Sequence, residues 1–162
     1  MLIRDATLAD WPLIWPVLHQ IVAAGDTFTY DPEFGEAEAK AMWMVDAPGR
    51  VVVAVADGGN VVGTANMYAN RPGPGAHIAS ASYMVDLVHR GSGVGRALVV
   101  DSLRWARACG FQGMQFNAVA QTNTNAVWLY ETLGFTVLGT VPGGFRHPLH
   151  GDVGLHVMFC PL

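Results

Sequence analysis

Arg90-Gly91-Ser92-Gly93-Val94-Gly95-Arg96 sets three glycines between an apolar run, Ala81 to Val85, and a helical pattern over 94–108. Glycine has no Cβ, so the backbone at such a junction can approach a ligand closely. The amides of a first helical turn lack intrahelical partners and carry the positive end of the helix dipole. The chemistry that fits is binding of a pyrophosphate or similar anion. A Walker loop needs Lys-Ser/Thr after its last glycine, whereas Gly95 is followed by Arg96-Ala97. A Rossmann fingerprint needs wider spacing than Gly91, Gly93 and Gly95, and it opens the first βαβ unit rather than following a helix pair and a hairpin.

Further along, Asn123 and Tyr130 are seven residues apart and so share one helix face. On the residues alone, Asn123 can equally cap the helix and Tyr130 can pack in the core. Asn117 ends a strand candidate and reads either as a ligand to substrate or as a satisfied strand-end amide. Phe28 and Tyr30 lie in a loop between two predicted helices, as a pocket wall or as plugs over the core. Asn66 and Tyr68 are pocket candidates on a predicted hairpin. Arg146 could bind a carboxylate in bidentate fashion or form a surface ion pair. The chain has no Glu between Glu38 and Glu131, and Asp86 is the carboxylate nearest the glycine loop. His147, His150, Asp152 and His156 do not fall on one helix face and have no Cys nearby, so no metal is expected.

The elements that would position these groups follow from periodicity. Leu2 to Arg4 reads as a strand, and Thr7 and Asp10 have capping-box spacing. Ile14, Val17, Leu18 and Ile21 then mark a helix ending near Ala24-Gly25, and Glu36 to Val45 a second one. Val51 to Val55 and Val61 to Tyr68, around Asp57-Gly58-Gly59-Asn60, predict a hairpin. Arg71 to Gly75 is expected to hold no regular element, and His77 to Val85 is a third sheet strand. Val99, Leu103 and Ala106 stripe the helix after the glycine loop. Met114 to Ala118 reads as a strand, and a helix carrying Ala126, Leu129, Tyr130 and Leu133 stops at Gly134. Thr136 to Val141 and Leu155 to Phe159 are the closing strands. The order predicts one α/β domain over 1–162 with a mixed sheet.

Composition narrows the setting. The chain is 51% hydrophobic and 14% charged, typical of a compact globular protein rather than a disordered one. A net charge of −4 and a single lysine, Lys40, argue against a nucleic-acid surface. No apolar run reaches the ~18–20 residues of a membrane span, and Met1 to Asp5 lacks a signal peptide's order, so a cytoplasmic location is expected. Cys109 and Cys160 are expected to be buried free thiols.

Two motifs and the element order together resemble a known family. Arg90-Gly91-Ser92-Gly93-Val94-Gly95 is similar to the Arg/Gln-x-x-Gly-x-Gly/Ala motif of the GCN5-related N-acetyltransferase (GNAT) superfamily. Asn123 to Phe135 is similar to its Asn-x-x-Ala-x-x-Leu-Tyr-x-x-x-Gly-Phe signature. The resemblance implies an α/β GNAT fold, a mixed sheet of about six to seven strands flanked by about four helices. It implies acetyl-CoA as co-substrate, its pyrophosphate on the amides of Arg90, Gly91, Ser92, Gly93, Val94, Gly95 and Arg96, with Met84 and Val85 beside the pantetheine. It implies Tyr130 as proton or hydrogen-bond donor to the departing sulfur and Asn123 as a contact to the pantetheine arm. A departure is Leu87, where the family often has Pro. Met114-Gln115-Phe116-Asn117 and Val141 to Pro148 further resemble the L-azetidine-2-carboxylate acetyltransferase-like subgroup, implying a site role for Asn117. The expected reaction is direct acetyl transfer to a small-molecule amine such as an amino acid or a proline analogue, often by a homodimer in this superfamily. Alternatives are a phosphinothricin-type acetyltransferase and a non-catalytic acyl-CoA sensor.

Overall fold

The computed structural model describes residues 1–162. Seven strands form a single mixed sheet and four α-helices cover it, as the resemblance implies. In chain order they are β1 (Leu2–Asp5), α1 (Trp11–Ala23), α2 (Glu36–Trp43), β2 (Arg50–Val55) and β3 (Val61–Ala69). There follow β4 (Ile78–Val85), α3 (Val94–Ala108), β5 (Gly113–Ala120), α4 (Thr124–Thr132), β6 (Thr136–His147) and β7 (Gly151–Pro161). The strands lie in the order β1-β2-β3-β4-β5-β7-β6, antiparallel except for the β4–β5 pair.

Alternation along the strands divides the core into two layers. On one face, Val52, Ala65, Met67, Ala79 and Ala81 pack against Leu98, Val99 and Leu103 of α3, with Leu129 and Leu133 of α4 at the margin. On the other, Val51, Val53 and Met84 pack against Ile14, Leu18, Ile21 and Trp43 of α1 and α2. The Trp43 indole donates to Thr64 Oγ1 at 3.1 Å, and the Trp11 indole donates to Glu36 Oε1 at 2.8 Å, tying the two helices to the sheet and to each other. The Thr7–Asp10 capping box is present, and Asp10 is also gripped by Arg4 through two bonds of 2.6 and 2.9 Å.

Three expectations need correction. The segment 71–75 contains a short 3-10 turn, Gly73–Gly75, because Pro72 and Pro74 preset the backbone for it. The closing strands are much longer than the apolar runs suggest. Pro142, Gly143 and Gly144 read as breakers, but β6 is the sheet edge and shifts register between Val141 and Phe145. An edge bulge accommodates a proline without an N–H and a glycine at φ 62°. Finally, Cys160 is buried but Cys109 is exposed, since it follows the last buried position of α3, Ala106.

Candidate active site

The β4–β5 pair carries the site. These parallel eight-residue strands are in register only at Ile78–Gly113 and Ala79–Met114, and then part. Beyond Ala79 the β5-facing peptide groups of β4, those of Ala81, Tyr83 and Val85, therefore have no ladder partner, whereas Met84 faces β3 across from Thr64. The gap opens into a cavity of about 690 Å³ lined by β4, β5, α4 and the loop after β4, a size suited to an extended small ligand.

At one end of this cavity stand Arg90, Gly91, Gly93, Gly95 and Arg96. Gly93 is the N-cap of α3 at φ 87° and provides no side-chain cap. The amides of Val94, Gly95 and Arg96 are thus left for an anion, because the first bond of the helix runs from Ala97 to the Gly93 carbonyl. Gly91 is also left-handed, at φ 79°, and a Cβ at either glycine would meet nothing within 4 Å. The glycines serve backbone conformation rather than packing space. Ser92 turns inward, its hydroxyl donating to the His89 carbonyl at 2.5 Å.

Tyr130 enters from α4. Its ring sits among Phe116 (centroids 4.6 Å apart), Phe135 (5.8 Å) and Tyr83 (6.2 Å). Burial pushes its hydroxyl well above the ordinary phenol range, with no compensating partner from the protein. Tyr83, the other tyrosine of this cluster, is also raised by burial, but its hydroxyl is engaged with Ser102 Oγ at 2.5 Å. Of the two, Tyr130 is the one with a hydroxyl to offer a ligand. Asn123 caps α4, its Oδ1 accepting from the Ala126 amide at 3.4 Å, and it also lines the cavity. Capping uses the oxygen and leaves the Nδ2 hydrogens.

Asn117 reaches the cavity at a bulge in β5, where register with β7 shifts between Phe116 and Val119. Its Nδ2 donates to Asn70 Oδ1 at 2.6 Å, while its Oδ1 accepts from Gln115 Nε2 at 2.8 Å and Asn70 Nδ2 at 3.4 Å. With both lone pairs engaged, Asn117 retains one N–H for a ligand. Phe28 and Tyr30 stack at 5.4 Å and line the same cavity, so the loop aromatics do form a wall.

Asn66 is not brought to the site. It is 2% exposed, lies outside the cavity lining, and donates to the Trp43 carbonyl at 3.3 Å. It shares a sheet face with Tyr68, but the end of α2 covers it, a consequence of packing that its position on the hairpin did not reveal. Asp86 is likewise turned away, accepting from Val88 N at 3.2 Å as the cap of a short turn. Arg146 forms an exposed ion pair with Asp152 at 3.1 Å. No group of three or more His, Cys, Asp or Glu side chains could hold a metal ion. His147 instead accepts from Leu149 N, and His156 bonds Thr140. Asn70, Tyr83 and Ser82 were missed from sequence. Tyr83 and Ser82 carried a signal, their place in the run entering the glycine loop; Asn70 carried none.

A mixed sheet parted between two parallel strands, with an uncapped helix N-terminus at the opening, defines an α/β protein built to hold a phosphate-bearing ligand in extended form. Residues 15–135 match the acetyltransferase (GNAT) family model, and the chain belongs to that family. A GCN5-related N-acetyltransferase from Kribbella flavida is 56% identical and superposes with a TM-score of 0.97 over 99% of this chain and 97% of that one. A phosphinothricin acetyltransferase from Sinorhizobium meliloti in complex with acetyl-CoA is 25% identical, TM-score 0.88, covering 99% and 88%. The N-acetyltransferase aca1 of Schizosaccharomyces pombe is 36% identical over 77 residues, 48% of this chain and 37% of that protein. The match to protein SPT10 of Saccharomyces cerevisiae, 30% identical, covers 44% of this chain and 11% of that one, so the chain spans well under half of either curated relative.

No helix is long and apolar enough to cross a membrane.

Proposed function

We propose that the chain is an acetyl-CoA-dependent N-acetyltransferase that transfers acetyl directly to the amine of a small molecule, an amino acid or analogue. The observation that carries the reading is one cavity joining the unsatisfied amides of 94–96 to the free hydroxyl of Tyr130. Acetyl-CoA would supply the activated acyl group and a thiolate leaving group. The chain's part is to bind, orient and donate hydrogen bonds. The amides and Arg90 and Arg96 would hold the pyrophosphate. The unpaired peptide groups of Val85 and the Nδ2 of Asn123 would orient the pantetheine, with Met84 beside them in the strand.

A free thiol titrates near ~8.5 and an unperturbed phenol near ~10, and burial raises Tyr130 further. Full proton transfer from Tyr130 to the thiolate is therefore uphill, and Tyr130 acts as a hydrogen-bond donor that stabilises the developing charge. Asn117, having only an N–H to spare, donates to a carbonyl or carboxylate oxygen and cannot accept the amine's proton. No cysteine lines the cavity, so an acyl-enzyme has no thiol nucleophile.

A phosphinothricin-type acceptor is the second reading, supported by the Sinorhizobium meliloti neighbour. Self-association through the β6–β7 hairpin belongs to the same proposal, since Leu138, Val141 and Leu149 are exposed there. The test is release of free CoA thiol from acetyl-CoA with proline analogues, amino acids, their amides and phosphinothricin. Tight acetyl-CoA binding without release from any amine would replace the enzyme by a sensor.

A further inference from the structure

The end of the cavity opposite the phosphate amides is formed by residues that the family motifs do not touch. Ser80 and Ser82 of β4 project to the face of the sheet that also carries Tyr68 of β3, which lies directly across from Ser80. Tyr30 reaches over them from the α1–α2 loop. Burial raises its pKa, the Ser82 hydroxyl beside it opposes that shift, and Tyr68 is near enough to act on it. Thr27 in the same loop also lines the cavity, and its buried hydroxyl has no partner within the protein. The stacked ring of Phe28 closes the side.

This patch is rich in hydrogen-bonding groups and has no charge. No Asp or Glu lines any part of the cavity. Its titratable groups are Tyr30 from the loop, Tyr68 and Tyr83 from the strands, Tyr130 from α4, and His89, Arg90 and Arg96 from the phosphate loop and α3. His89 stands beside Asp86 (3.4 Å) in the turn that leads to the glycines, away from the hydroxyl patch. Arg146, paired with Asp152, borders an adjoining cavity that shares Phe28, Thr29 and Tyr30. Asp26, next to Thr27 in the loop, has a buried Oδ1 without a partner but stands outside the lining, so an ammonium ion entering here would lose its hydration and meet no carboxylate on the cavity wall.

Within the acetyl-transfer reading, on which this rests, we infer that Thr27, Tyr30, Tyr68, Ser80 and Ser82 form an uncharged acceptor subsite. It binds the amine as its free base and recognises a hydrogen-bonding oxygen next to it. The proton is then lost to solvent before binding rather than to a side chain. The nitrogen lone pair forms the new bond to the acetyl carbon as the carbon–sulfur bond breaks, and the electron pair leaves on the sulfur. The second amine proton goes to bulk water, directly or through the thiolate. Ser82 and Tyr68 become specificity-determining residues of this chain.

Two measurements test the inference. First, kcat/KM is followed against pH for amides that release thiol, beginning with L-prolinamide, each paired with a fluorinated analogue of the same skeleton. The expected profile rises about tenfold per pH unit up to the amine's own pKa, and the midpoint shifts with that pKa when fluorine lowers it. A midpoint shared by both members of a pair would reveal an ionising group of the enzyme and overturn the free-base assignment. Second, Ser82→Ala and Tyr68→Phe should each raise KM for the amine about 5- to 10-fold, the worth of one hydrogen bond, while KM for acetyl-CoA stays within about twofold. Ser82→Thr should restore most of the loss. An unchanged amine KM in Tyr68→Phe and in a folded Ser82→Ala overturns the placement of the subsite. Absence of thiol release with every amine refutes acetyl transfer itself and is thereby distinguishable from failure of the subsite.

Discussion

Replacing Tyr130 by Phe removes one hydroxyl and keeps the ring, which is why it isolates the chemical step. The ring is held by Phe116 at 4.6 Å and Phe135 at 5.8 Å, and no protein group bonds its hydroxyl. Stability should therefore change by no more than about 0.5 kcal/mol. A hydrogen bond to a charged group contributes about 1.5–3 kcal/mol, and each 1.36 kcal/mol of barrier is tenfold in rate. The expected loss in kcat is about 10- to 150-fold, with KM for acetyl-CoA within about twofold, because the bond strengthens only as the sulfur acquires charge. The assay is thiol release under saturating acetyl-CoA, with a melting curve as control. Tyr83→Phe is the matched comparison: it breaks the 2.5 Å bond to Ser102 and should cost stability by about 1 kcal/mol while leaving kcat largely intact. A Tyr130→Phe enzyme with kcat reduced less than threefold, or with loss confined to acetyl-CoA affinity, would refute the argument.

Gly93→Ala forces an alanine into φ 87° without any clash at its Cβ; it should cost about 1–2 kcal/mol and raise KM for acetyl-CoA more than it lowers kcat. Asp10 is held well below the ordinary carboxylate range by Arg4, helped by Thr7 against the opposing cost of burial. Its folded pKa lies below the unfolded value of about 3.9, so its stabilisation is complete above about pH 5 and is lost as pH falls through that lowered pKa. Asp10→Asn should thus be destabilised by about 1–2 kcal/mol at pH 7, with the gap narrowing below about pH 4 in urea titrations. A thiol reagent should label Cys109 in the native protein and Cys160 only after unfolding, since Cys160 is 4% exposed and burial raises its thiol pKa.

The helix stripes, the Asp57–Asn60 hairpin, the capping box at Thr7 and the glycine loop were legible because each is written in residues a few positions apart. Local backbone preference and side-chain periodicity decide such features, and the structure places them within a residue or two of where spacing puts them. Asn123 and Tyr130 belong to this class too: seven residues in and around one helix reach one cavity whatever surrounds them. The tertiary structure decided the rest. Asn117 is oriented by Asn70, 47 residues away, and that pairing exists only because β3 and β5 flank β4. Asn66 and Tyr68 are two residues apart on one strand, yet Asn66 ends beneath α2 and Tyr68 lines the cavity. Pro142 is tolerated in β6 because that strand is an edge, a property of sheet order and not of composition. Sequence by itself determined the fold class and pointed to the proposed donor end of the site, whose chemistry resides in backbone amides and one helix face. The proposed acceptor end draws on a loop and two strands distant in the chain, and only packing could bring their hydroxyls together without a carboxylate in the cavity lining.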